Sequence, residues 1–109
     1  MIIVEKNEGP KIPYSVRSTK ITFDDDLTIN LAKREKDSKE HIDICSDKEG
    51  DLVIGAAAGR MYVAEIDIPE RRYESVIIEE EGEEPREELT PVPLDMNTVT
   101  LTLWSIEED

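Results

Sequence analysis

His41 and Cys45 are the side chains best suited to nucleophilic chemistry or to binding zinc, and the chain has one residue of each type. In a β-strand, a spacing of four residues places both side chains on one face. A catalytic dyad would require the strand to curl sharply, so that the imidazole could reach the thiol. Two ligands are also too few for a zinc site. The pair therefore predicts neither site, and Cys45 is interpreted as a half-buried small hydrophobe.

A second candidate for metal binding is the acidic segment that contains Asp47, Glu49 and Asp51. A calcium loop places its glycine after the third oxygen ligand, with a bidentate glutamate six residues later. Gly50 comes too early for that pattern, and Ala56 stands where the glutamate should be. Aspartate and glycine are also the residues that a tight turn requires. We expect a hairpin turn here and no metal site.

A run of small residues at positions 55–59 is the nearest approach to a phosphate-binding loop. It is followed by Arg60 and lacks both the lysine and the spacing of that motif. No dinucleotide-binding fingerprint occurs elsewhere in the chain. The sequence therefore predicts no catalytic residue, no cofactor and no metal ligand, which is the pattern of a non-enzymatic protein.

The net charge of the chain is −14, from 27 acidic and 13 basic side chains. Binding to a nucleic-acid backbone or to anionic lipid draws its affinity from lysine and arginine, so we expect neither. No apolar run approaches the roughly 18 residues that span a membrane. The N-terminal residues 1–6 become charged too soon for a signal peptide. We expect a cytoplasmic protein without a membrane segment.

Alternation of apolar and polar residues predicts two β-hairpins. The first joins a run over 16–23 to a run over 27–31 through Asp24–Asp26, and the second joins 42–44 to 52–54 through the turn at Asp47–Asp51. Residues 33–40 are almost wholly charged, and we expect them to form a solvated connection. Further strands are predicted over 62–68, 73–78 and 98–104.

Six or seven such strands without a convincing helix predict an all-β, mainly antiparallel fold, either a small sandwich or a barrel. Residues 1–109 are expected to form a single β domain. The last strand is expected to pair with a strand distant in sequence, such as the first. The residues predicted to face the core are Ile21, Phe23, Leu27, Ile29, Leu31, Ile42, Ile44, Ile66, Val99, Leu101 and Leu103.

The segment 79–93 is the most acidic part of the chain and also contains Pro85, Pro91 and Pro93. Its first ten residues hold seven glutamates and one arginine. Such a composition buries little apolar surface, so the segment is predicted to be a mobile loop that precedes the last strand.

The last strand offers the best candidate for a binding surface. Trp104 has the same parity as Thr98, Thr100 and Thr102, opposite the leucines predicted to face the core. An exposed tryptophan on a threonine-rich face is typical of a protein interface. The alternative is that the strand is buried on both faces near its end, or that Tyr62 or Tyr73 covers the ring.

Three stretches within residues 20–73 carry a resemblance: KITFDDDLTINLAKRE, HIDICSDKEGDLVIGAA and YVAEIDIPERRY. They resemble pieces of small uncharacterised proteins from prophage and other mobile-element regions of bacterial genomes. The resemblance covers about half of the chain and includes no catalytic motif. It implies a virus-associated accessory or structural protein, either cytoplasmic or assembled into a phage particle.

Together these features predict a non-enzymatic structural or interaction module that self-associates or binds a protein partner. Two alternatives stay open. The first is an inhibitor that mimics DNA by presenting carboxylates at phosphate-like positions, although such a mimic needs its acids on a rigid surface. The second is a small ligand-binding barrel or enzyme, which would need a polar-lined pocket.

Overall fold

β-Strands dominate the computed structural model, which describes residues 1–57 and 61–106. Residues 58–60, part of the small-residue run, and residues 107–109 lie outside the described chain. Two short 3₁₀ helices occur at Leu31–Lys33 and Met96–Thr98. The ten strands are β1 (Ile2–Glu5), β2 (Tyr14–Arg17), β3 (Lys20–Phe23), β4 (Leu27–Asn30), β5 (Glu40–Ser46), β6 (Leu52–Ile54), β7 (Met61–Ile68), β8 (Tyr73–Ile78), β9 (Arg86–Pro91) and β10 (Thr100–Leu103). The predicted all-β character is confirmed.

The described strands form three open sheets, with orders β1-β10-β7-β5-β6, β2-β3-β4 and β8-β9. Every pairing is antiparallel except that of β1 with β10. The last strand does pair with strands distant in sequence, but its partners are β7 and β1, a segment that was not predicted as a strand, and not the first predicted run over 16–23. None of the three sheets closes into a barrel over residues 1–57 and 61–106. The described strands number ten rather than six or seven, because β1 and β9 were not predicted and a turn divides the run over 16–23 into β2 and β3.

The first predicted hairpin is confirmed, with β3 and β4 joined through Asp24–Asp26. Asp24 and Asp25 have positive φ angles of 52° and 51°, which aspartate tolerates better than most residues. The run over 16–23, however, is not one strand. A turn at Ser18, whose φ is 55°, divides it into β2 and β3.

The second predicted hairpin, β5 with β6, is also confirmed. An oxygen of Asp47 accepts hydrogen bonds from the amides of Glu49 and Asp51, at 2.9 and 3.0 Å. Gly50 follows with a φ of 85°, which an L side chain rarely adopts. The aspartate and the glycine therefore build the turn.

The core is one cluster that includes residues of the five-stranded and three-stranded sheets. All the residues predicted to face the core are buried, except Leu27, which is half-buried and packs against the cluster. Ile12 and Val63 are buried although the alternation did not predict it. Val63 lies at an irregularity in the pairing of β7 with β5. Ile44 pairs with Ala64 and the next residue, Cys45, pairs with Tyr62, so Val63 is an extra residue without a partner in the register.

The prediction of a mobile loop over 79–93 is wrong for residues 86–91. These residues form β9, which pairs with β8 along its whole length, from Tyr73 opposite Pro91 to Ile78 opposite Arg86. Arg86 contacts Glu80, Glu83 and Glu88 at 3.2–3.3 Å. The guanidinium of Arg86 therefore offsets part of the repulsion among the glutamates. The strand can form despite its acidic composition, because the backbone hydrogen bonds between β8 and β9 do not depend on side-chain polarity.

Candidate functional site

The outer face of the five-stranded sheet, opposite the core, carries the residues predicted to form an interface. Thr100 and Thr102 lie on this face and are half-buried. Thr98 is not in the last strand, contrary to the predicted span. It ends the second 3₁₀ helix, where its hydroxyl and its amide donate to the carbonyl of Asp95 at 2.6 and 3.0 Å. Asp95 caps this helix and so delays the start of β10.

Trp104 follows β10 directly and is half-buried. Its ring stacks on Tyr62, with centroids 5.2 Å apart and planes inclined by 22°. The indole nitrogen donates to a carboxylate oxygen of Glu65 at 2.8 Å, and the Lys6 ammonium lies 5.4 Å from the ring. Tyr62 therefore covers the ring, which was one of the alternatives for this residue. An interface at Trp104, Thr98, Thr100 and Thr102 stays a prediction.

Next to Trp104 on the same outer face, four side chains form what we call the carboxylate–histidine cluster: His41 and Asp43 of β5, and Glu65 and Asp67 of β7. The imidazole Nδ1 lies 2.6 Å from an oxygen of Asp67, and Nε2 lies 2.8 Å from Asp43 and 3.4 Å from Glu65. His41 pairs directly with Asp67 in the register, and Asp43 pairs with Glu65. The sheet thus places three carboxylates around one imidazole.

The cluster favours the protonated form of His41. The hydrogen bond to Asp67 is the largest cause of a raised pKa, burial opposes it, and the hydrogen bond and negative charge of Asp43 add to it. The imidazolium can donate from both ring nitrogens, which neutral histidine cannot do. Its charge also reduces the repulsion between the three neighbouring carboxylates. We interpret the cluster as an ion-pair network that stabilises the pairing of β5 with β7.

This geometry predicts a pH dependence of stability. Because the pKa of His41 is higher in the folded chain than its ordinary 6.5, its stabilising effect is complete below that value and is lost as pH rises through the folded pKa. The free energy of unfolding, measured with urea between about pH 6 and pH 9, should fall more in the wild type than in His41→Gln. If the free energy of unfolding fell equally with pH in the wild type and in His41→Gln, this interpretation would be contradicted.

Cys45 does not join His41, so the structure does not assemble the dyad. The strand shifts its register between Ile44 and Cys45, His41 is exposed, and Cys45 is buried. Burial raises the pKa of the thiol, and the negative charges of Asp43 and Glu65 raise it further. A thiol is a weak nucleophile compared with its thiolate. Cys45 is therefore suited to packing, as the sequence predicts.

Two groups of the described side chains have ligand atoms within 4.8 Å of one another: His41, Asp43 and Glu65, and Asp47, Glu49 and Asp51. In the second group an oxygen of Asp47 already accepts two backbone amides. In the first, a cation would compete with the proton of His41 for the same carboxylates.

The sequence analysis did not identify the carboxylate–histidine cluster. The alternation of polar residues at 41, 43, 65 and 67 was visible in the sequence, but the pairing of β5 with β7 was not.

A cleft of about 330 Å³ lies beside the core, which is at the lower end of the size of ligand pockets. Its lining includes the apolar Ile12, Leu52 and Met61 and the acidic Asp24 and Asp26. The lining contains no histidine, cysteine, lysine or arginine among the described residues. The cleft therefore offers two carboxylates, the hydroxyl group of Ser46 and apolar surface.

The most distinctive feature of the molecule is a hairpin that we call the arm, residues 73–91, which consists of β8, β9 and the connection between them. Among the strands that the structure describes, its sheet contains only these two. The described chain measures 71 × 24 × 21 Å with a radius of gyration of 18.5 Å, whereas a compact chain of this length has about 13 Å. The exposed fractions of Ile77 and Leu89 are both 68%, and those of Tyr73 and Val76 are 42% and 40%.

The base of the arm is attached to the connection between the first 3₁₀ helix and β5. The Arg71 guanidinium donates to the carbonyl of Glu35 at 2.8 Å and lies 3.5 and 3.6 Å from the carboxylates of Glu35 and Asp37. The Tyr73 hydroxyl donates to Asp37. Arg71 thus has a structural role, because its contacts with Glu35 and Asp37 attach the base of the arm to the body.

No protein family, curated protein or solved structure matches this chain. No helix of the described residues is long and apolar enough to cross a membrane. The geometry of the described chain is therefore the basis for a functional proposal.

Proposed function

We propose that this protein is a non-enzymatic interaction module that binds another protein through its arm. The observation that carries the proposal is the position of Ile77 and Leu89, which are 68% exposed on a hairpin that projects from the body. We propose a structural or accessory role in a prophage-associated assembly, in the cytoplasm or within a phage particle. We also infer that the five-stranded and three-stranded sheets are the two layers of a small sandwich, since both contribute to one core.

The energetics of an isolated hairpin support this role. A two-stranded sheet is marginally stable in water unless something packs against its apolar face. Exposed apolar patches rimmed by polar residues are typical of interaction sites. The arm fits that description, because exposed glutamates surround its isoleucine and leucine. A partner that covers the arm would bury this apolar surface and stabilise the hairpin.

Comparative affinity purification from cells of the source organism tests the proposal. The tagged wild type should recover a protein that is lost with Ile77→Ser combined with Leu89→Ser, hereafter the arm variant. Val4 and Ile54 are each 42% exposed on the edge strands of the five-stranded sheet. Their double serine substitution, the body variant, is the matched control and should retain the partner. Purified components should then reproduce the binding.

Identical sets of recovered proteins from the wild type and the arm variant would contradict the proposal. Recovery of a nucleic-acid-binding enzyme that depends on the glutamates, and not on Ile77 and Leu89, would instead support the DNA-mimic alternative. Glu81 and Glu84 changed together to glutamine separate these outcomes, because a mimic requires the carboxylates themselves.

A further inference from the structure

We propose that the partner of the arm is a second copy of this chain, in a symmetric dimer whose two arms lie antiparallel against each other. This inference rests on the proposed function of the arm as a binding element. Three features of the described chain support it: the apolar face of the arm, the charge at its tip, and the charge of the body beside its base.

The apolar face of the arm is defined by the register of its two strands. Ser75 lies opposite Leu89, and Ile77 lies opposite Glu87. Since side chains alternate between the faces of a strand, Tyr73, Ile77, Leu89 and Pro91 share one face. Ser75 and Glu87 lie on the same face, where the hydroxyl of Ser75 donates to the carboxylate of Glu87. Two arms that lie antiparallel can place Ile77 of one copy near Leu89 of the other and remove both from water.

The tip of the arm, residues 79–84, contains five glutamates and no basic residue. Arg86 pairs with Glu80 and Glu83 of the tip. Glu81 and Glu84 make no ion pair with any residue in the described parts of the chain. The tip therefore has unpaired negative charge for a basic surface.

A basic surface lies on the body next to the base of the arm. We call it the basic end, and it comprises Arg17, Lys20, Lys33 and Arg34. Arg17 pairs with Lys20 in the β2–β3 register, and the Leu31 amide donates to the Thr19 carbonyl at 2.8 Å, which brings the first 3₁₀ helix to this turn. All four cations are exposed. None of them forms an ion pair within residues 1–57 and 61–106.

The position of the basic end matches an antiparallel exchange of arms. Glu35 and Asp37 bind Arg71 at the base of the arm, only a few residues after Lys33 and Arg34. When two arms run antiparallel, the tip of each lies toward the base of the other. The acidic tip of one copy then meets the basic end of its partner, and two-fold symmetry makes this contact twice.

The net charge of −14 on each copy opposes association at low ionic strength. At physiological ionic strength the Debye length is about 8 Å, so distant charges are screened while close contacts between tip and basic end persist. The dimer should therefore be measured under those conditions.

Gel filtration with light scattering and sedimentation equilibrium, over a concentration series, test the dimer. The wild type and the body variant should be dimers. In the arm variant the dissociation constant should rise at least about tenfold, which corresponds to about 1.4 kcal/mol. Circular dichroism shows whether the arm variant is folded.

Charge reversal provides a second test that does not depend on the apolar residues. Glu81→Lys with Glu84→Lys reduces the charge of the tip from five negative charges to a net of one, and Lys33→Glu with Arg34→Glu reduces the charge of the basic end from four positive charges to zero. Each variant should therefore weaken the homodimer, because the attraction between tip and basic end is largely lost. A mixture of the two charge variants should favour a 1:1 heterodimer over either homodimer, since one of its two contacts then joins an unchanged acidic tip to an unchanged basic end. Native mass spectrometry resolves the three species.

A wild type that stays monomeric over the whole series would overturn this inference. So would a dimer that the arm variant and both charge variants leave unchanged. The proposed function would still stand in either case if purification from cells recovered a different protein through Ile77 and Leu89. If neither a dimer nor such a partner were found, the proposed function would fail as well.

Discussion

Replacing Leu101 with alanine is expected to lower the free energy of unfolding by about 2–5 kcal/mol, the range for a buried leucine whose cavity cannot collapse. Leu101 lies in β10, between β1 and β7, opposite Ile3 on one side and Ile66 on the other. Its exposed fraction is 0%. Strands on both sides restrain the backbone, so we expect little relaxation into the space that the side chain leaves.

The matched control is Leu89→Ala, the same substitution at a leucine that is 68% exposed on the arm. It should change the free energy of unfolding of the monomeric chain by no more than about 0.5 kcal/mol. Urea denaturation followed by circular dichroism measures both changes. Equal effects at the two positions would show that Leu101 is not in a rigid core.

The second large effect is expected from removal of the arm. A short Gly/Ser connection in place of residues 74–90 should leave the free energy of unfolding of the body within about 1 kcal/mol of the wild type, because closure entropy varies slowly with loop length. The same change should abolish binding of the partner, because Ile77 and Leu89 are removed together.

Small-angle scattering of the monomeric species shows the change in shape. The radius of gyration should fall from 18.5 Å to about 13 Å, the value for a compact domain of this size. Failure of the shortened chain to fold would show that the arm is required for the core. A radius of gyration that stays the same would show that the arm does not project.

Local pattern determined much of the fold. The turns at Asp24–Asp26 and Asp47–Asp51 were predicted correctly, because aspartate and glycine in a turn act on their own backbone within a few residues. The period-two alternation also identified most of the core, because burial on one face of a strand requires apolar residues at every second position. Val63 was missed, since an extra residue in a strand reverses the parity beyond it.

Other elements depend on partners distant in the sequence. The composition of 79–93 indicated a loop, but Arg86–Pro91 becomes a strand because β8 supplies a complete ladder of backbone partners. Thr98 was assigned to the last strand, but Asp95 holds it in a 3₁₀ helix. In each case a hydrogen bond that composition does not report decides the conformation.

The candidate surfaces likewise depend partly on local sequence pattern and partly on contacts between residues distant in sequence. The sequence by itself determined an acidic β protein with its turns, its alternating faces and an unusual concentration of glutamate. Only the tertiary structure decided that Tyr62 stacks on Trp104, that Asp43, Glu65 and Asp67 surround His41, and that the glutamates lie on an arm outside the body. The physical reason is that strand pairing is non-local: alternation orients each side chain about its own strand, whereas the neighbours it meets depend on which strands the shared core brings together.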